Sequence, residues 1–315
     1  MVGGGSWGSV FSALLAEGGH DVTLACRDPE QARAIAETGR NPRYMTHAEL
    51  RGVTARPLAD APFDETELVC VAVPSRSFRE IAAELEGDAP VLILAKGLDP
   101  HTGERLSQLV SSRPVAVLTG PNHAEEIAEG MPAAAVIASD DGGLAAELQH
   151  AIISPRFRVY VSPDLAGVEL AAAAKNVIAL AAGGADGLGI GDNAKAALIS
   201  RGLAEITRLG EAFGARSETF AGLAGIGDLV VTCWSRHSRN RRAGELIARG
   251  ASPEEAERRI GMVVEGLTTA PAVRELARRR AVEVPVTEAV CQVLEGRAGP
   301  ADMVLELMGR RPTEE

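Results

Sequence analysis

Two lysines and a run of arginines are the residues of this sequence best suited to chemistry. Lys175 sits beside Asn176 in the middle of residues 168–180 (VELAAAAKNVIAL), a stretch apolar nearly all round and so expected to be a buried helix. Burying an ammonium is costly without a partner, and burial lowers a lysine's pKa toward values useful for proton transfer. The alternative is a stem that lies along the helix and lets the ammonium reach water. Lys96 follows directly on residues 91–95 (VLILA). Ligands of open α/β sheets lie beyond the carboxyl ends of the strands, which is where Lys96 falls if that run is a strand. An exposed loop lysine is the competing reading. Thr119-Gly120-Pro121-Asn122 follows the run at 115–118 in the same way, with Asn122 and Glu125 spaced as a helix-capping pair.

Residues 222–242 (GLAGIGDLVVTCWSRHSRNRR) place Arg236, Arg239, Arg241 and Arg242 within seven residues, beside Ser238 and Asn240. Guanidinium groups offer bidentate donors, so such a cluster with hydroxyl and amide neighbours suits a small phosphate group. A solvated helix start is the plainer alternative. RNA binding is disfavoured, because the chain has only 2 Trp, 2 Tyr and 6 Phe and none stands among these arginines. Asp228, in a glycine-rich turn, is placed to orient a lysine or a substrate hydroxyl, or is simply a turn aspartate.

At the start of the chain Gly3, Gly5 and Gly8 fit G-x-G-x-x-G, with a helical stretch at 10–16 behind them. Glycines at these places permit a tight turn, close approach of main chain to a pyrophosphate, and close helix–sheet packing, with the diphosphate at a helix N-terminus. A strand at 21–26 (DVTLAC) lies at the proper distance, and Arg27 rather than an acid follows it. That suggests a 2′-phosphate and hence NADP, while Asp28 beside it keeps NAD open. A glycine-rich frayed terminus is the bland alternative. Only Met1 and Val2 precede the turn, whereas a dinucleotide fold needs a strand there. The first strand is therefore expected to be largely missing, and the natural chain to begin several residues earlier with an apolar strand.

These residues need elements to position them. Runs at 21–26, 68–73, 91–95, 115–118, 134–138 and 157–161 read as strands, and 29–37, 78–86, 104–111 and 122–129 as helices between them. Such alternation predicts a parallel, doubly wound sheet, with room for an antiparallel or edge pair among the later strands. From Asp164 onward long Ala/Leu-rich helices take over, only 229–234 resembles a strand, and 310–315 reads as a frayed tail. The expected fold class is α/β: an N-terminal Rossmann dinucleotide-binding domain over 1–166, then an all-α substrate and catalytic domain over 167–315. A length of 315 residues gives each a core of ordinary size.

Composition narrows the function. A net charge of −11 argues against general attraction to nucleic acid or anionic membrane, so an anionic ligand needs a local basic site. The 4 cysteines are widely spaced, with no CxxC and no Cys/His cluster of zinc spacing, which argues for reduced thiols and no metal. The first charged side chain is Glu17, and apolar runs such as 68–73 are far too short to span a bilayer. A cytoplasmic protein without membrane insertion is expected. Glycine, at 34 residues, clusters at 3–8, at 183–191 and at 222–227.

In chain order, GGGSWGS, AKGLD, TGPNHAEEIAEGMP, ELAAAAKNVIALAAGGADGLGIGDNAKAALISRGLAEITRLG, TFAGLAGIGDLVVTCWSRHSRNRRAG and VVEGLTTA resemble the bacterial NAD(P)-dependent sn-glycerol-3-phosphate dehydrogenase family. The likeness covers nearly the whole chain, and its KN and SRNR segments are more specific than the glycine motif. It implies a helical domain of the 6-phosphogluconate dehydrogenase C-terminal type. It also implies interconversion of sn-glycerol 3-phosphate and dihydroxyacetone phosphate with NADP or NAD, which supplies phospholipid synthesis. Carried over residue by residue, Gly3, Gly5, Ser6, Trp7, Gly8, Arg27, Tyr44, Ala124, Val263 and Glu265 are cofactor contacts. Lys96, Gly120, Asn122, Asp228, Ser238, Arg239 and Asn240 form the substrate site, Lys96 and Arg239 touching the cofactor as well. Lys175 matches the proton acceptor and also touches substrate. Gly4 stands where Ala is usual, and Asn122 where Ser or Thr is common. Competing readings are a dehydrogenase of a β-hydroxyacid or ketopantoate-like substrate, which needs a carboxylate site, and a non-catalytic NADP-binding regulator, which has no reason to bury Lys175. A homodimer is a candidate assembly; the residues leave the oligomeric state open.

Overall fold

The computed structural model of the chain describes residues 1–110 and 113–309. The end of the expected helix at 104–111 and the tail at 310–315 lie outside the described residues. The chain divides into two compact units: Met1–Lys96 with Arg105–Glu169, and Gly97–Glu104 with Leu170–Glu315.

The first unit is built on β1 (Val22–Cys26), β2 (Val53–Pro57), β3 (Val69–Val71), β4 (Val91–Ile93), β5 (Val115–Thr119), β6 (Ala133–Ala138) and β7 (Phe157–Ser162). Neighbours pair parallel except β5 with β6, which run antiparallel. Every residue of β3 and β4 is buried, as continuous apolar runs covered on both faces should be. Met1–Gly3 run between β1 and β3. Val2 bridges Ala25 on one side and Val71 on the other, its amide donating to the Cys70 carbonyl at 2.7 Å and its carbonyl accepting from Ala72 at 2.8 Å. Strand β2 is absent from the sequence-based expectation because VTARP has one buried residue, a proline and a single partner, the profile of an edge strand.

Between the strands lie α1 (Ser6–Glu17), α2 (Pro29–Thr38), α3 (Ser75–Glu84), α4 (Ala124–Ala128) and α5 (Gly142–Ile152). Helix α2 shows why its ends fall where they do: Asp28 caps it by accepting from the Glu30 amide at 3.0 Å, Pro29 is its first residue, and Gly39 stops it at φ 65°. Phe11 and Leu15 of α1 pack with Leu92, Leu118 and Phe157 beneath the sheet. The expected helix at 104–111 is only a 3₁₀ turn, Leu106–Leu109. The Ser107 amide and hydroxyl both donate to the buried Glu169 carboxylate, at 2.9 and 2.5 Å, and Arg105 joins at 2.9 Å. Burial pushes the Glu169 carboxyl above its ordinary value, against the pull of those donors.

The second unit is helical. It comprises most of α6 (Leu165–Leu188), then α7 (Asp192–Ala212), α8 (Ser217–Ala221), a π-turn (Leu223–Gly227), α9 (Asp228–Trp234), α10 (Arg239–Ala248), α11 (Pro253–Ile260), α12 (Glu265–Arg279), α13 (Pro285–Leu294) and α14 (Pro300–Gly309). Helix α6, at 24 residues, is long and apolar enough to cross a membrane, contrary to the expectation from short runs alone, but 89% of its apolar window is buried inside the protein. It is the core helix of this unit. Residues 229–234 are helix, not strand: Leu229, Thr232 and Cys233 are buried at helical spacing, so packing overrides the β-propensity of the valines.

The middle glycine cluster explains how closely α6 and α10 meet. A Cβ on Gly183 would stand 1.8 Å from the Arg241 carbonyl oxygen, and one on Gly244 would stand 1.9 Å from that of Leu180. Main chain packs on main chain there, which only glycine permits. On the other side of the unit, Glu205 of α7 caps α13, accepting from the amides of Val286 and Thr287 at 2.7 and 2.9 Å. The four cysteines are free and buried.

Candidate active site

The first unit carries a cradle at the start of α1. Gly3 adopts φ 111°, where a side chain would meet the Ala72 carbonyl oxygen at 2.7 Å. A Cβ on Gly8 would stand 1.9 Å from the Gly3 carbonyl oxygen, so the turn lies directly against the helix. At Gly5, the N-cap, nothing lies within 4 Å of where a side chain would start. The first turn that follows, from Ser6, holds no carboxylate. An open space at a helix N-terminus without opposing charge fits a diphosphate. Trp7 packs its ring on Phe11 at 5.2 Å, and its buried Nε1 makes no hydrogen bond. Such a donor is open to an acceptor on a ligand or to a water. The cradle therefore fits a dinucleotide.

Arg27 is exposed just after β1, and Tyr44 is half-buried. At the carboxyl ends of β4 and β5 the structure brings Lys96, Gly120 and Asn122 together. Lys96 Nζ donates to the Gly120 carbonyl at 3.0 Å and to Asn122 Oδ1 at 2.7 Å. Gly120, at φ 140°, is pressed against β6, where a Cβ would be 2.8 Å from the Ala134 carbonyl oxygen. Asn122 is not the expected helix cap. The N-cap position of α4 is His123, which makes no capping bond, and Ala124 is the first helical residue. Lys96 has taken the Asn122 oxygen instead, leaving Nδ2 buried without an acceptor.

In the second unit Lys175, in the middle of α6, is 4% exposed. Its ammonium forms an ion pair with Asp228 Oδ1 and donates to Thr232 Oγ1 at 2.9 Å. Thr232 in turn donates to the Asp228 carbonyl at 2.6 Å. Asp228 stands at the first position of α9, so the helix itself spaces Asp228 and Thr232 four residues apart on one face. Nothing in the sequence singles out Thr232, because 229–234 resembles a strand, in which positions four apart lie about 13 Å from each other. Burial pushes the neighbouring Cys233 thiol up to about 12 despite the Lys175 charge, so it stays neutral.

Ser238 is the N-cap of α10, its Oγ accepting from the Arg241 amide at 3.2 Å. Asn240 is buried and fully engaged: Nδ2 donates to Asn176 Oδ1 at 2.8 Å, and Oδ1 accepts from the Gly266 amide at 2.9 Å. It thereby ties α6, α10 and the first turn of α12, which Glu265 opens. The exposed Arg239 donates to the Val263 carbonyl at 3.0 Å. A further cluster that the sequence did not reveal holds this segment. Lys195, 4% exposed, donates to both oxygens of Asp186 at 2.9 and 2.8 Å, and lies 4.7 Å over the Trp234 ring. Arg241 donates to Asp186 at 2.5 Å and to the Ser235 carbonyl at 3.2 Å. Partial burial raises the Asp186 carboxyl, but the hydrogen bonds from Lys195 and Arg241 outweigh it and hold the group below its ordinary 3.8.

Known proteins carry the same pattern. The profile described as "NAD-dependent glycerol-3-phosphate dehydrogenase N-terminus" matches residues 1–145, and the C-terminus profile of the same name matches residues 164–305. A glycerol-3-phosphate dehydrogenase [NAD(P)+] of Moorella thermoacetica is 48% identical over 324 residues, spanning 100% of this chain and 96% of that protein. The crystal structure of glycerol-3-phosphate dehydrogenase from Coxiella burnetii superposes with a TM-score of 0.93 at 35% identity, covering 98% of each chain. A ketopantoate reductase from Ralstonia eutropha shares the fold alone, with a TM-score of 0.61 and 18% identity over 96% of this chain and 99% of that one. By its sequence over the full length and by its fold, the chain belongs to the NAD-dependent glycerol-3-phosphate dehydrogenase family.

Proposed function

We propose that the protein is an oxidoreductase that interconverts sn-glycerol 3-phosphate and dihydroxyacetone phosphate with NADP or NAD, and so supplies glycerol 3-phosphate for phospholipid synthesis. The observation that carries the reading is the buried Lys175–Asp228 pair, with Thr232 fixing the direction of the ammonium. A non-catalytic binder has no use for a buried, oriented proton donor. When bound, the nicotinamide supplies or accepts the hydride at its C4. As the substrate C2 oxygen gains charge during ketone reduction, Lys175 delivers a proton to it; in the reverse direction the neutral amine takes the hydroxyl proton. Asp228 and Thr232 hold Nζ in place. Lys96, steadied by Gly120 and Asn122, adds positive charge for the oxyanion. Arg239 and the N-terminus of α10 at Ser238 grip the substrate phosphate, while Asn240 keeps that segment in register with Asn176. The glycine turn with Ser6, Trp7 and Gly8 holds the cofactor diphosphate, Arg27 and Tyr44 its adenosine end, and Ala124, Val263 and Glu265 further parts of it.

On this reading residues 1–166 hold the cofactor and 167–315 the substrate and the proton-transfer lysine. The protein acts in the cytoplasm on a small molecule. Its assembly is a homodimer, supported by an aliphatic cavity of about 880 Å³ among α6, α7, α13 and α14 and by the exposed Leu305 and Met308 near it. The test is direct. Added dihydroxyacetone phosphate should discharge NADPH absorbance in the presence of the protein. Discharge by ketopantoate instead, or by neither, would overturn the assignment.

A further inference from the structure

The glycine-rich stretch at 183–191 takes no part in the mechanism above, yet its residues converge on the turn that bears the phosphate grip. We infer that Asp186 is a positioning residue for the substrate phosphate: through Arg241 and Lys195 it fixes the turn at 235–238, and with it the places of Ser238 and Arg239. The inference rests on the reading of function given above and deepens it.

The backbone brings three charges together. Gly189 and Gly191 adopt φ 66° and 85°, a left-handed geometry that other residues resist, so the chain reverses from α6 into α7 over 189–191 alone. That reversal returns Lys195, near the start of α7, to Asp186, near the end of α6, and its ammonium donates to both carboxylate oxygens at 2.9 and 2.8 Å. Helix α10 meets the same end of α6 main chain to main chain. A Cβ on Gly187 would stand 2.7 Å from the Glu245 carbonyl oxygen, and one on Gly183 would run into that of Arg241. Asp186 lies between these two glycines, and its carboxylate joins α7 to α10.

Arg241 carries that hold to the turn. Its Nη1 donates to Asp186 Oδ2 at 2.5 Å, and its Nε donates to the Ser235 carbonyl at 3.2 Å. The Ser235 carbonyl also accepts from the Ser238 amide at 3.2 Å, while the Arg241 amide donates to Ser238 Oγ at 3.2 Å. One residue thus clasps both ends of the turn, Ser235 with its side chain and Ser238 with its main chain. Lys195 braces the approach to it, since its ammonium lies 4.7 Å over the ring of Trp234, the last residue of α9. Arg239 follows Ser238 directly, so its origin is set by the same clasp. Glu245 also faces Arg241, at 3.5 Å, but pairs more closely with Arg249, at 2.7 Å, and its hold on Arg241 is the weaker one.

A purely electrostatic role for Asp186 has the opposite sign. A carboxylate in this segment repels an anion, so neutralising it should by itself tighten phosphate binding, whereas loss of positioning weakens it. The test is steady-state kinetics with dihydroxyacetone phosphate, with inorganic phosphate as competitor, and thermal unfolding to check that each variant is folded. Asp186→Asn should raise both KM and the inhibition constant of phosphate by about fivefold or more, with a smaller change in kcat. Glu245→Gln, which removes an equal charge beside Arg241, should leave all three within about twofold. Should Asp186→Asn fail to fold, Arg241→Lys keeps a cation for Asp186 while losing the fork that reaches Ser235, and the same weakening is expected of it. Unchanged or tightened KM and phosphate inhibition in the folded variant would overturn the inference while leaving the reading of function intact. A loss confined to kcat, or one shared equally by Glu245→Gln, would do the same. A wild type that does not turn over dihydroxyacetone phosphate would overturn both.

Discussion

A methyl group at position 244 would separate positioning from chemistry, because Gly244 itself handles no substrate in the proposed mechanism. An alanine Cβ there would stand 1.9 Å from the Leu180 carbonyl oxygen, whereas ordinary contact begins near 3.4 Å. Helix α10 must therefore back away from α6 by about 1.5 Å locally, since neither main chain can yield otherwise. The 2.8 Å bond between Asn240 and Asn176 would open to about 4 Å, beyond hydrogen-bond range. Overpacking of this kind costs about 1–3 kcal/mol, which a domain of ordinary stability survives. Function should suffer more, because a misplacement of about 1 Å costs about 100-fold. Gly244→Ala should thus lower kcat/KM for dihydroxyacetone phosphate by about 100-fold, or about 2.7 kcal/mol of transition-state stabilisation, while NADPH affinity holds. Gly184→Ala is the control: nothing lies within 4 Å of its Cβ, and removing a helical glycine should be neutral or stabilising by up to about 1 kcal/mol. Steady-state kinetics and thermal unfolding of the two variants make the comparison. A folded Gly244→Ala enzyme with wild-type kcat and KM would refute the claim that α6–α10 contact sets the site.

Arg239→Ala should raise KM for the phosphorylated substrate by at least about tenfold, or about 1.4 kcal/mol, with a smaller change in kcat; an unchanged KM places the phosphate elsewhere. Asp186 supplies a linkage test. Its carboxyl is held below 3.8, so its contribution is present in full above that ordinary value and is lost as pH falls through the lower folded value. Denaturant unfolding of wild type and Asp186→Asn should show a stability gap that is constant near neutrality and narrows as pH falls below about 3.8. A gap that widens toward acid would contradict the Lys195–Asp186–Arg241 arrangement.

Much of the fold is legible in the residues because periodicity and burial agree there. The apolar runs that became β3, β4 and β5, and the all-round apolar α6, have one plausible environment each. Lys175 and Lys96 stand out for the same reason, as charges in or directly behind such runs. Tertiary partners conceal the rest. The valines of α9 prefer strand in isolation, and burial of their neighbours Leu229 and Cys233 in the second unit's core makes the segment helical. The i, i+4 relation of Asp228 and Thr232 exists only in that helix, so a strand-like run does not announce it. Asn122 and Glu125 satisfy a capping pattern, yet Lys96, 26 residues away, claims the Asn122 oxygen. Asn41 bonds to Gly4 across 37 residues, and no local pattern announces such a contact.

The most direct measurement of the central claim is NADPH oxidation with dihydroxyacetone phosphate by wild type and Lys175→Met, each first titrated with NADPH. Removing the lysine leaves Asp228 buried without its cation, a change that costs about 3–5 kcal/mol, so thermal unfolding of the variant accompanies the titration to check that both units are folded. The account predicts turnover by wild type and a loss of about 100-fold or more in the variant with NADPH affinity within about twofold. A variant that binds NADPH normally and turns over within a few-fold of wild type would contradict it.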